Sequence, residues 1–105
     1  MIHGSNLFQW INWLKETKGL DFKDYTELWE WSTTHIEDFW ETIVEYFDIL
    51  SEGSYTKAMS GSMPWATWFE GLQLNYSEHV FRNYSDKTPA IIFRSENRFP
   101  TEMSW

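Results

Sequence analysis

The chain has 105 residues, a formal net charge of −8, 20% aromatic residues with eight tryptophans among them, and no cysteine. That length favours one domain with a modest core, and 42% apolar residues fit a globular protein rather than a disordered one. The acidic balance opposes nucleic acid and anionic membranes, and the missing cysteines remove disulfides, thiolate metal sites and cysteine nucleophiles.

Ser5 is placed to cap a first helix, in which Leu7, Trp10, Ile11 and Leu14 recur at i, i+3, i+4, i+7. Phe8 and Trp13 widen that stripe, and Lys18 with Gly19 supplies a cationic last turn and a glycine stop. Asp24 caps a short second helix with Tyr25, Leu28 and Trp29 on one face, and Ser32-Thr33-Thr34 is expected to interrupt it. Thr34 with Glu37 has the spacing of a capping box, which opens a third helix of about four turns. Its buried stripe is expected at Ile36, Phe39, Trp40, Ile43, Phe47 and Leu50, with Glu37, Asp38, Glu41, Glu45 and Asp48 mainly away from it.

Residues 51–64, SEGSYTKAMSGSMP, have no period and read as a long loop. Trp65, Trp68 and Phe69 follow, with Gly71 at a turn. Asn75 and Glu78 stand at N-cap spacing, so a fourth helix is expected to run to about Tyr84, before SDKT and Pro89 break the pattern. AIIFRSE reads as a strand, Glu96-Asn97 as a turn, and MSW as the start of a partner strand inside which the sequence stops. A strand pair alone is marginal in water, so this ending suggests a fragment or an engineered boundary. The fold class expected is α+β: three or four helices, then a short β-hairpin.

Little in the chain points to chemistry. His3, His35 and His79 lack the spacing of a zinc site, and the Glu37, Glu41, Glu45 repeat is explained by a solvated helix face. No phosphate-binding glycine loop and no serine-hydrolase elbow is present. The opening MIHGSNLFQW is no secretory signal and no stretch approaches about 18 apolar residues, so a cytoplasmic protein off the membrane is expected. The sequons at Asn75 and Asn83 are discounted accordingly. The tryptophans remain: Trp10, Trp29 and Trp40 fall on apolar stripes, while others suit an interface.

Taken together, YTELWEWSTTHIEDFWETIVEYFDI, WFEGLQLNYSEHVFR, PAIIFRSE and TEMSW resemble, in order and spacing, the N-terminal region of AMP-forming acetyl-CoA-synthetase-like enzymes. The resemblance is greatest to the acetoacetate–CoA ligases, or acetoacetyl-CoA synthetases. It is carried by Trp29, Trp31, Phe39, Trp40, Trp68, Phe69, Asn75, Tyr76 and Glu78, with Ser77 standing where the family commonly has Ala. It implies a lead-in helix over residues 1–23 and the family's N-terminal domain over 24–105, cut at the start of a large adenylating domain. It further implies a parent enzyme that uses ATP, Mg²⁺ and CoA to turn acetoacetate into acetoacetyl-CoA through an acyl-adenylate. All catalytic, cofactor-binding and metal-binding residues would then lie beyond Trp105, leaving none here.

The partner implied is that adenylating domain. Trp68 to Tyr84 would dock onto it through Tyr76, Val80 and Tyr84, with Arg82 either pairing with an acid there or facing solvent. Two other classes stay open: an aromatic-rich module that binds carbohydrate, and a fragment that self-associates.

Overall fold

The computed structural model describes residues 4–105; His3 lies outside the described residues. The chain divides into two compact units, one ending at Gln73 and the other spanning Leu74–Trp105.

In the first unit, helix α1 (Asn6–Trp13) opens as expected: Ser5 Oγ accepts from the Phe8 amide at 3.2 Å. It continues as a π-helical turn over Leu14–Lys18 that ends at Gly19, whose φ of 70° suits a residue without Cβ. The Gly19 and Leu20 amides both donate to the Leu14 carbonyl, turning the chain back toward the helix it has just left.

Helix α2 (Tyr25–Thr34) starts at Asp24, whose carboxylate accepts from the Thr26 and Glu27 amides at 2.8 and 3.0 Å. Glu27 reaches back to the Lys23 amide at 2.9 Å, and this bond, before the nearby Lys23 ammonium, holds its carboxyl below the usual range. The reciprocal cap therefore forms at Asp24 and Glu27, not at Thr34 and Glu37. Thr34 is instead the last residue of α2, and its hydroxyl donates to the Glu30 carbonyl at 2.7 Å. Ser32 and Thr33 likewise donate to the Trp29 carbonyl, so the hydroxyl run prolongs the helix that it was expected to interrupt. His35 alone separates α2 from helix α3 (Ile36–Tyr46), accepting α3's first amide bond while its own amide donates to Trp31.

Helix α3 is about three turns, shorter than expected. Asp48 at φ 48° takes the left-handed conformation that an acidic side chain tolerates, and the Ile49 amide closes onto the Val44 carbonyl. Phe47 becomes the C-cap and Leu50 lies past the helix end, while Tyr46 takes a place in the core.

Trp10, Ile11, Leu14 and Leu28 form the buried centre, with Trp13, Leu20, Phe22, Trp31, Phe39, Ile43 and Tyr46 packed around it. The rings meet edge-on: Trp10 and Phe39 at 5.8 Å, Trp13 and Tyr46 at 5.4 Å, Trp31 and Phe39 at 6.1 Å. Lys18 lies 5.6 Å over the Trp13 ring and pairs with Glu45, binding the π-turn to the outer side of α3. The α2 face differs from expectation: Leu28 is buried, but Trp31 turns inward while Tyr25 and Trp29 stay exposed.

The glycine- and serine-rich stretch is no open loop. Strands β1 (Glu52–Gly53) and β2 (Met59–Ser60) run antiparallel to β4 (Leu72–Gln73) and β3 (Thr67–Trp68), giving an interrupted, nested ladder. A Cβ on Gly53 would meet the Gly71 carbonyl oxygen, and one on Gly71 the Ser54 carbonyl oxygen, both well inside van der Waals contact. Those two glycines let the strands approach. The ladder is fastened to α3 by the Met59 amide donating to Glu37 at 3.4 Å and by Trp68 against Trp40 at 5.8 Å.

In the second unit, Asn75 Oδ1 accepts from the Glu78 amide at 3.2 Å and caps helix α4 (Tyr76–Phe81), which stops three residues short of Tyr84. Strands β5 (Ile91–Ser95) and β6 (Arg98–Met103) pair antiparallel across the Glu96-Asn97 turn. The partner strand thus begins at Arg98 and finishes before Ser104, earlier than expected. Two residues of β6, Phe99 and Pro100, stand opposite the single Arg94 of β5, which puts Pro100, without an amide hydrogen, in the irregularity where a ladder tolerates it. No residue of Leu74–Trp105 is buried.

Leu14 and Trp65 make opposite predictions. Leu14→Ala should destabilise the chain by about 2–5 kcal/mol through the cavity it leaves, since Leu14 is fully buried. Trp65→Ala, at 88% exposure, should stay within about 0.5 kcal/mol. Urea melts of both variants test this, and equal losses would contradict the core described.

Candidate docking surfaces

The residues singled out from the sequence fall into three groups. Trp31 and Phe39 are core members, Phe39 touching Trp10, Trp31 and Trp40. Trp40, Trp68 and Phe69 tie the ladder down: Trp68 meets Trp40, and Phe69, at φ 44°, meets Tyr55 at 5.0 Å. Trp29, Asn75, Tyr76, Glu78 and Arg82 are exposed, Tyr76 at 81%. Asn75 is committed to the α4 cap and accepts from Glu78's amide. Of the expected packing face, Tyr76 and Tyr84 stand largely exposed while Val80 is more than half covered, and α4 is too short to close a core of its own.

Two hollows of the first unit bear on function. One, of about 380 Å³, opens between α1, α2 and α3 and is walled by Leu7, Trp10, Tyr25, Trp29, Phe39 and Phe47 among others. The sequence stripe placed Leu7 and Phe47 in the core; the structure puts them on this groove instead. Nothing in the sequence period separates the two outcomes, since a groove wall and a core wall share the same helix face.

The other hollow, of about 640 Å³, is mixed, with Lys18, Asp38, Glu41, Glu45 and Tyr55 on its walls beside Leu20, Trp31 and Val44. Burial first, then the Glu41 carboxylate, pushes the Tyr55 phenol above the ordinary tyrosine value. Three carboxylates against one ammonium already paired with Glu45 repel polyphosphate, so these residues do not fit ATP or CoA. Among the described residues no group of three or more His, Asp or Glu is arranged to hold a metal ion, and no helix is long and apolar enough to cross a membrane.

The second unit presents large side chains on both sides of its hairpin, Ile91, Phe93 and Met103 on one and Ile92 on the other, with Phe99 exposed at the irregularity. The exposed indoles that do meet, Trp40 and Trp68, stand at 69° to each other. They make no flat platform of the kind on which a sugar ring stacks.

The chain is a small α+β fold with large aromatic side chains left exposed. The chain belongs to the acetyl-coenzyme A synthetase N-terminus family, whose profile matches residues 25–80. It is similar to acetoacetyl-coenzyme A synthetase of Rhizobium meliloti (strain 1021), 26% identical over 100% of this chain and 16% of that protein. It is also similar to acetoacetyl-CoA synthetase of Gallus gallus, 28% identical over 76% of this chain and 12% of that one. The solved structure of acetoacetyl-CoA synthetase from Streptomyces lividans superposes with a TM-score of 0.83 at 28% identity, covering 97% of this chain and 16% of that chain. The chain thus spans about a sixth or less of the length of these relatives.

Tyr55 carries a pH prediction. A phenol whose pKa is raised by folding adds stability while protonated, and that contribution is lost as pH rises through the raised value. The melting temperature should fall on the alkaline side, beyond about pH 10, and Tyr55→Phe should shrink the fall. Melts across alkaline pH that are superimposable for the two proteins would rule this out.

Proposed function

We propose that the chain is the N-terminal structural and docking domain of a larger acyl-CoA synthetase that joins acetoacetate to CoA at the expense of ATP. In the whole protein the acetoacetate carboxylate attacks ATP, giving acetoacetyl-adenylate and pyrophosphate, and the CoA thiol then displaces AMP. The groups that bind ATP, Mg²⁺ and CoA belong to the adenylating domain, and the present residues contribute surface and position rather than chemistry. The protein works in the cytoplasm.

The observation that carries this reading is the second unit, which matches the family in its helix α4 yet buries no residue of its own. A short helix and a two-stranded hairpin are marginal alone in water. Their exposed Tyr76, Ile91, Ile92, Phe93 and Phe99 gain stability by leaving water against a partner, at about 25 cal/mol per Å² of apolar area covered. The names of the similar proteins support acetoacetate as the acid, and the net charge of −8 supports a protein partner over nucleic acid.

Pyrophosphate release tests the division of labour. The 105-residue chain, incubated with acetoacetate, ATP, Mg²⁺ and CoA, should release no more than a protein-free control, whereas the full-length protein containing it should turn over. Release by the short chain would overturn the docking role. A full-length protein that ignores acetoacetate but activates another acid would overturn the substrate.

A further inference from the structure

We draw no further inference here: the strongest candidate, the apolar groove between α1, α2 and α3, carries none because nothing in the structure shows what covers it.

Discussion

The first unit depends on the buried cluster of Trp10, Ile11, Leu14 and Leu28, against which Trp31, Phe39 and Ile43 pack. Helices α1, α2 and α3 have 8, 10 and 11 residues, lengths at which isolated helices are marginal in water. Their stability comes from covering one another. Leu14 serves twice: its side chain is fully buried, and its carbonyl takes the Gly19 and Leu20 amides, turning the chain so that Leu20 and Phe22 reach the same core. Each fully buried aliphatic side chain is worth about 1.5–3 kcal/mol, enough for a few such residues to settle a domain of this size.

Around that centre the aromatic residues divide the work. Trp31 and Phe39 fill the core; Trp68 against Trp40 fastens the nested ladder to α3, and Phe69 against Tyr55 joins its two sides. Fastening by rings suits this part of the chain, because the ladder consists of two-residue strands whose few hydrogen bonds hold little by themselves. What is left over includes the apolar groove of the first unit and exposed rings and aliphatic side chains of the second. Asp38, Glu41 and Glu45 gather instead about the Tyr55 hollow, where they repel phosphate.

The reversal at residues 32–37 shows how a local rule is decided by what is nearby. Ser32-Thr33-Thr34 has the composition of a break, yet each hydroxyl finds a carbonyl one turn back and the helix runs on. Glu37 is spaced to complete a cap on Thr34, but the Met59 amide from the ladder is within its reach, and Asp24 with Glu27 forms the reciprocal cap ten residues earlier. The family motif itself was legible because it is a pattern of residue types in order. The groove was not, because Leu7 and Phe47 obey the same helical period as the buried Trp10 and Leu14.

The sequence by itself determined the α+β class, the caps at Ser5, Asp24 and Asn75, the stop at Gly19, the turn at Glu96-Asn97 and the family, all matters of neighbours within a few positions or of motif order. Only the tertiary structure decided that residues 52–60 pair with 67–73, that Trp31 turns inward while Trp29 stays out, and that Trp10 buries an unpaired hydrogen beside an open groove. Helical periodicity says which side chains share a face; what covers that face depends on elements distant in the chain.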